Sequence, residues 1–318
     1  MFLSAELEAR FTSLQRLEEY AAEPSEAPLV IPDHRPPPNW PSAGHVSIKG
    51  LCVQYASADS PSLSDVTVDI PSGTHLSLVG RSGSGKSTLA AALFRIVEPK
   101  SGTVCIDGVD LSTLGLEYRA SLSIIPQSPF LIAGTLRDNI DPFSRHSDDQ
   151  VLDAMRRVKL TAAVPDASLS FHVTTGGSNL SVGSRQLVCL ARALLKQAKV
   201  LCLDEASSAL DLRTDTFIQE ALATAFRNTT VVSITHRLHS VMEQADKVVV
   251  LDTGRVLEIG SPLELLGGDD AAAGDAAPPS TARPGSLQAL VAATGAATSQ
   301  RLLRTAAQAS TRRLQQPQ

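Results

Sequence analysis

The sequence predicts an α/β fold organised around a parallel β-sheet, and three observations carry that expectation. Residues 200–203 and 230–234 are short, strongly apolar or β-branched runs separated by segments of helical spacing, the pattern of strands covered on both faces. Residues 75–79 form another such run, which leads through a glycine-rich loop into the helical segment 89–96. With 318 residues and 43% hydrophobic side chains, the chain has enough material for a substantial core.

Residues 1–22 place Leu3, Leu7, Phe11, Leu14, Leu17 and Ala21 three and four apart among Glu and Arg, an amphipathic helix whose apolar stripe needs a cover. Prolines recur through residues 23–44, which excludes regular helix and predicts an extended, semi-rigid connector. Folded structure is expected from His45. Alternation in residues 46–48 and 66–70, with Pro71-Ser72-Gly73 between 66–70 and 75–79, reads as strands and a turn. Another strand and turn follow at residues 104–108, and residues 148–158 have helical spacing within a helix-rich insertion. A late strand is expected at 248–251. Residues 267–285 are dominated by Ala, Gly, Pro and Ser and read as a disordered linker; the remaining tail, to 318, is basic and reads as solvated, with one short helix over 286–293.

The formal net charge of −5 supplies no global basic surface, so a nucleic-acid partner is not expected. Cys52, Cys105, Cys189 and Cys202 are scattered, which suggests neither a zinc site nor a disulfide framework; they read as small buried hydrophobes in a reducing compartment. No run approaches the ~20 apolar residues of a membrane-spanning helix, so the chain is expected to be soluble or peripheral.

The chemistry is concentrated in a few strings. Gly80, Arg81, Ser82, Gly83, Ser84, Gly85, Lys86, Ser87 and Thr88 contain the full G-x-x-x-x-G-K-[ST] phosphate-binding pattern between a strand and a helix. In such a loop the backbone N–H groups point at phosphates, Lys86 adds a compact positive charge, and Ser87 can ligate Mg²⁺. The run 201–205 ends in two carboxylates with separate roles: Asp204 toward the magnesium sphere, Glu205 toward an attacking water. Gln127 closes another β-like run and can offer an amide oxygen to Mg²⁺ or its water. His236 follows the 230–234 strand and can contact a γ-phosphate and orient a nucleophile. A second Ser/Gly element, Leu180, Ser181, Val182, Gly183, Ser184, Arg185 and Gln186, stands before the acidic pair.

In this order the strings resemble an ABC-type ATPase, and the resemblance spans roughly residues 45–266. The strings 34–41, 124–129, 134–137, 139–143 and 235–239 are similar to the multidrug-resistance-associated branch, and within it to the second nucleotide-binding domain. The resemblance implies a P-loop NTPase with a RecA-like parallel core, an antiparallel β subdomain and a helical subdomain carrying the signature 180–186. It implies ATP as substrate with Mg²⁺, Glu205 as catalytic carboxylate assisted by His236 and Lys86, and Tyr55 stacked on adenine. Asp211 would belong to the D-loop, Ser208 to Asp211. Two cassettes would pack head to tail, so Ser181 and Gly183 would address ATP held by the partner's P-loop.

By the same resemblance, residues 130–135 would meet a transmembrane domain carried elsewhere, and residues 1–22 would be the cytoplasmic end of its last spanning helix. The implied setting is the cytoplasmic face of a membrane, with hydrolysis powering export of amphipathic anions, conjugates or drugs. The alternative is a non-catalytic nucleotide-binding interaction module or a transporter fragment. Two departures stand out: Ser184 occupies a position where the family usually has Gln, and no Arg follows Tyr55. The shorter Ser184 side chain predicts weakened signature contacts, and Gln at that position is expected to raise ATPase activity in an assembled transporter.

Overall fold

A computed structural model describes residues 2–23, 25–204, 212–267 and 284–315. The first helix, α1 (Phe2–Ala22), leaves Leu7, Phe11, Leu14, Leu17 and Tyr20 exposed, so its apolar stripe is uncovered in the chain by itself. The connector that follows has no regular helix or strand among its described residues, only a 3₁₀ turn at Pro32–His34 and a turn in which Trp40 N donates to Pro37 O at 3.0 Å. It is nonetheless docked: Leu116 and Glu117 donate their N–H groups to the carbonyls of Pro28 and Leu29, and Trp40 Nε1 donates to Ile106 O at 2.9 Å. One carboxylate fastens its end. Asp107 accepts from the N–H groups of Ser42, Ala43, Gly44 and His45 at 2.7–3.1 Å; burial raises its pKa, but these four bonds together prevail and hold it below the usual value.

Four strands, β1 (Val46–Val53), β2 (Leu63–Ile70), β4 (Ser101–Ile106) and β5 (Val109–Asp110), form an antiparallel sheet in the order β2-β1-β4-β5, separated in the chain by β3 (His75–Val79). On β1, Val46 and Ile48 face the core, then the phase shifts and Leu51 and Val53 do so. A bulge between Ile48 and Leu51 makes this possible, because without an extra residue the period of two would turn Leu51 and Val53 to solvent. Gly50, at φ +57°, supplies the required backbone.

The central sheet has the order β12-β11-β3-β10-β9-β6, made with β6 (Ser123–Ile125), β9 (Val200–Asp204), β10 (Thr230–Ile234), β11 (Lys247–Asp252) and β12 (Arg255–Gly260). Strands β11, β3, β10, β9 and β6 are parallel, and β12 closes one edge antiparallel. Every residue of β10 is buried, as a strand covered on both faces requires. Helix α2 (Lys86–Leu93) and the antiparallel sheet cover one side through Leu89, Leu93, Val68, Ile70, Val232 and Ile234.

The insertion between β6 and β9 is the expected helical subdomain: α3 (Leu136–Ile140), α4 (Asp148–Arg157), α5 (Leu160–Ala163) and α6 (Val182–Leu195). It also holds a small β-ladder that sequence periodicity did not announce, β7 (Gly134–Thr135) with β8 (His172–Val173). Ser147 and Gln150 form a capping box on α4. The lobe shares its apolar interior with α7 (Leu212–Ala225) and with Leu201, Leu203 and Val231 of the sheet.

The tail departs from expectation. After α8 (Leu238–Gln244) and α9 (Pro262–Leu265) come α10 (Leu287–Ala292), which was expected, and α11 (Ala296–Gln315), which was not. The solvated reading fails for α11: Leu302, Ala306 and Ala309 are buried, and the helix packs along α8 and α9. Its apolar stripe is made largely of alanine among Gln, Thr and Arg, so hydropathy alone understates it. The linker assigned to residues 267–285 lies mostly outside the described residues. Cysteine is a second correction: Cys189 and Cys202 are buried, whereas Cys52 and Cys105 are only partly so, because they sit on the outer face of the antiparallel sheet.

Candidate nucleotide-binding site

Parallel strands deliver their loops to one edge of a sheet, and the register shows which residues meet there. Leu78 of β3, Ile234 of β10 and Asp204 of β9 lie in one row, with Ile125 of β6 opposite Leu203. The residues just beyond that row are Gly80, His236 and Gln127. Three strand-end residues predicted from separate strings therefore share one edge with the glycine-rich loop. Asp204 is partly buried, while Gln127 and His236 are exposed. Glu205 and Asp211, with the rest of the string Ser208 to Asp211, lie outside the described residues.

The loop from Gly80 to Gly85 is shaped by positions that only glycine fits. Gly85 caps α2 at φ +102°, and a Cβ there would stand 2.5 Å from Leu63 Cδ2 and 2.9 Å from Ser62 O. A Cβ on Gly80 would collide with the carbonyl oxygen of Leu251 and the hydroxyl of Ser84. Lys86 is buried and turned inward, donating from Nζ to the carbonyls of Gly80 and Arg81 at 2.9 Å each. Beside it, the Ser84 hydroxyl is buried with no hydrogen-bond partner, and the space off Gly83 is open to 4 Å. A buried hydroxyl without a partner, a lysine turned onto loop carbonyls and an open concavity at a helix N-terminus fit a phosphate chain. Ser82 in the loop and Ser87 in the first turn of α2 are exposed, and Thr88 is buried behind them.

Tyr55 follows β1 and is 38% exposed, with its hydroxyl 3.3 Å from Thr88 Oγ1. It is therefore a rim residue above the first turn of α2 and not a core tyrosine. Gln54 steadies this loop, donating to Ala58 O at 2.9 Å while accepting from Lys100 Nζ at 2.8 Å. The oxygens of Ser87 in the first turn of α2, Gln127 just after β6 and Asp204 at the end of β9 are hard donors of the kind Mg²⁺ takes, and all three stand at this edge.

The signature stands elsewhere. Ser181 caps α6, accepting from Ser184 N at 3.1 Å; Ser181 is exposed, Gly183 and Ser184 buried. Helix α6 packs beside β6, at the far edge of the sheet from β3, with β10 and β9 between. Three strand spacings correspond to roughly 14 Å. The two phosphate elements of one chain thus occupy different lobes.

Residues 63–208 match the ABC transporter family. The chain carries an ABC transporter domain. It is 45% identical over 267 residues to human ATP-binding cassette sub-family C member 2, a match covering 83% of this chain and 17% of that protein. It is also 45% identical over 266 residues to Arabidopsis thaliana ABC transporter C family member 9, covering 83% of this chain and 18% of the relative. Multidrug resistance protein mrp-7 of Caenorhabditis elegans is 44% identical over 266 residues, 82% of this chain and 17% of that one. A solved bacterial Atm1-family ABC exporter with ATP bound superposes with a TM-score of 0.70 at 30% identity, covering 81% of this chain and 46% of the other. The first two relatives are both C-family members by name, and the chain spans only 17–18% of their length.

Beside the residues picked out by motif, the structure of this ABC domain adds Arg237 and Asp215. Arg237 Nη1 lies 3.2 Å from Asp215 Oδ2, which ties the loop holding His236 to helix α7. Arg237 N also donates to the buried Thr235 hydroxyl at 3.0 Å. Sequence offered only proximity to His236 as a signal for Arg237, and none for Asp215. Two buried residues frame Asp204 chemically: burial, reinforced by the charge of Asp204, pushes the Cys202 thiol up to about 12, so it stays neutral, and Leu203 seals the strand end. Among the described residues no cluster of three His, Cys, Asp or Glu side chains forms a metal site. That is compatible with Mg²⁺, which dehydrates reluctantly and takes few protein ligands beside phosphate and water.

Proposed function

We propose that this chain is the ATP-hydrolysing cassette of an exporter and acts in a head-to-tail pair with a second cassette. The observation that carries the proposal is the convergence of the Gly80–Gly85 loop, Asp204, Gln127 and His236 on one sheet edge, with Ser181 displaced to another lobe. Backbone N–H groups of the loop and Lys86 hold the phosphates; Tyr55 offers a π-face to adenine from the rim. Water attacks the γ-phosphorus while Glu205 accepts its proton and His236 orients the transferring group; ADP and phosphate leave. Ser87, Gln127 and Asp204 would hold Mg²⁺, whose bound charge neutralises the β and γ oxygens. Ser181 and Gly183 address the nucleotide of the partner, which explains why one chain holds its two phosphate elements apart.

Coupling to a membrane domain fits an apolar cleft of about 580 Å³ between the central sheet and the helical lobe, lined by Ile96, Ile124, Pro126 and Phe130. Phe130, 71% exposed at its mouth, opens the segment 130–135 expected to meet the transmembrane domain. No helix among the described residues is long and apolar enough to cross a membrane. The spanning part is assigned to a separate segment or chain, with the cassette at the cytoplasmic face, and the cargo class inferred from the C branch is amphipathic anions, conjugates or drugs.

The test is steady-state ATPase activity of the purified chain over a range of concentrations, beside Glu205→Gln. Activity rising more steeply than linearly with concentration, lost in Glu205→Gln while nucleotide binding persists, supports the paired enzyme. Tight ATP binding by the wild type without turnover at any concentration would identify a non-catalytic module instead.

A further inference from the structure

Ser184 occupies the third position of α6, is 4% exposed, and places its hydroxyl 2.9 Å from that of Ser181. A serine hydroxyl has one proton to donate and two lone pairs to accept with. The proton shared by this pair can belong to either oxygen, and burial decides between the alternatives. Were Ser181 the donor, Ser184 would keep its own proton inside the lobe, where Ser181 is the one hydrogen-bond partner found for its hydroxyl among the described residues. A buried donor left unmade is costly, whereas exposed Ser181 can always give its proton to water or a ligand. The satisfied arrangement has Ser184 donating to Ser181.

Ser181 Oγ then accepts twice, from Ser184 N at 3.1 Å and from Ser184 Oγ at 2.9 Å. Both lone pairs are engaged on the side of the helix, so its single proton is directed away from α6. We propose that Ser184 is a positioning residue that holds the Ser181 hydroxyl as a pre-oriented donor to a phosphate oxygen presented by the facing cassette. The proposal rests on the head-to-tail reading above and deepens it. It also gives the short residue at 184 a definite role, since Ser184 cannot reach the phosphate as a longer side chain would but orders the group that does.

The experiment compares ATPase activity and nucleotide affinity in the full chain for Ser184→Ala, Ser184→Thr and the wild type. Loss of one neutral hydrogen bond corresponds to roughly a five-fold drop in turnover. The expected result is that drop in kcat for Ser184→Ala, unchanged affinity for ATP at the chain's own P-loop, and recovery in Ser184→Thr. A second measurement mixes Ser184→Ala with Lys86→Ala. In a mixed pair the intact Lys86 of one chain faces the intact Ser184 of the other, so the mixture should exceed the average of the two variants alone. If wild type turns over and Ser184→Ala matches it in kcat, the positioning role is overturned while the paired enzyme stands. If Ser184→Ala loses activity but mixing restores none, Ser184 acts within its own chain and the proposal likewise fails. A wild type that never hydrolyses ATP overturns the paired enzyme, and the role of Ser184 with it.

Discussion

Arg313, near the end of the chain, places its Nε 3.3 Å from Asp246 Oδ1, and the other oxygen of Asp246 accepts the backbone N–H of His75 at 2.8 Å. His75 opens β3, the strand that feeds the glycine-rich loop. The tail helix is thereby fastened to the base of the nucleotide-binding strand, and Arg313 Nη2 adds a bond to Glu243 O at 3.0 Å on α8.

The energy of that docking lies in its apolar face rather than in the ion pair. Leu302 is 4% exposed against Val241, Met242 and Leu266, while the Arg313 and Asp246 side chains remain 30% and 42% exposed. Leu302→Ala should therefore lower stability by about 2–4 kcal/mol. Arg313→Ala should cost less than about 1 kcal/mol. Urea unfolding of the two variants checks the ranking; a larger loss for Arg313→Ala would contradict it.

His75 predicts the acid response. Burial, the larger influence, holds its pKa down at about 4, with Asp246 pulling upward and Arg313 downward; Ser233 Oγ lies 3.3 Å from its ring. Above pH 6.5 the imidazole is neutral in folded and unfolded chains alike and costs nothing. As pH falls from 6.5 toward 4, the unfolded chain takes up a proton that the folded chain refuses, so stability drops, levelling off below 4. Between pH 7.5 and 5 the loss assignable to this group is on the order of 2 kcal/mol. Denaturant midpoints for wild type and His75→Gln at both pH values test it: the variant should lose less, and equal losses would exclude His75.

The ion pair of Arg237 with Asp215 predicts a kinetic effect. Their side chains are 29% and 17% exposed, so the pair is better shielded than a surface bridge. It fixes the loop of His236 against α7, whose chain continues from the Ser208 to Asp211 string. Asp215→Ala should lower kcat about five-fold, the equivalent of ~1 kcal/mol, with the KM for ATP little changed. The exchange Asp215→Arg with Arg237→Asp should recover part of the loss. A rise in KM alone would show that the pair serves binding and not the orientation of His236.

What could be read from the sequence follows from how local each signal is. Val46 and Ile48, like the alternation of residues 66–70, announce strands because a period of two is contained in a few residues, whereas the phase shift to Leu51 and Val53 at Gly50 shows only in the pairing register. The loop motif at Gly80–Thr88 is equally local. Helix α11 escapes such a reading since its cover, Val241, Met242 and Leu266, comes from elements far away in the chain, and alanines give a weak apolar stripe. The same holds for Asp107, whose spacing from residues 42–45 carries no pattern although it fastens the end of the connector. In the site, residues at strand ends are legible because a buried strand points to them. Asp215 is not, because an ion pair across two elements leaves no periodic trace.

Two glycines of the phosphate loop separate conformational cost from collision. Gly83, at φ +78°, has nothing within 4 Å of the place a Cβ would take, so Gly83→Ala meets only the left-handed backbone cost of about 1–2 kcal/mol. Gly85, at φ +102°, meets that cost and a clash with Leu63 and the Ser62 carbonyl besides. Yielding to the clash would push β2 away from the start of α2, and with it the N–H groups that α2 presents. Gly85→Ala should therefore lower the melting temperature by several degrees more than Gly83→Ala and weaken ATP binding at least ten-fold. Calorimetry and nucleotide titration of both variants measure this directly. Equal melting temperatures would mean that the Leu63 side chain moves aside, and that the close packing of β2 on the loop is not what holds it in shape.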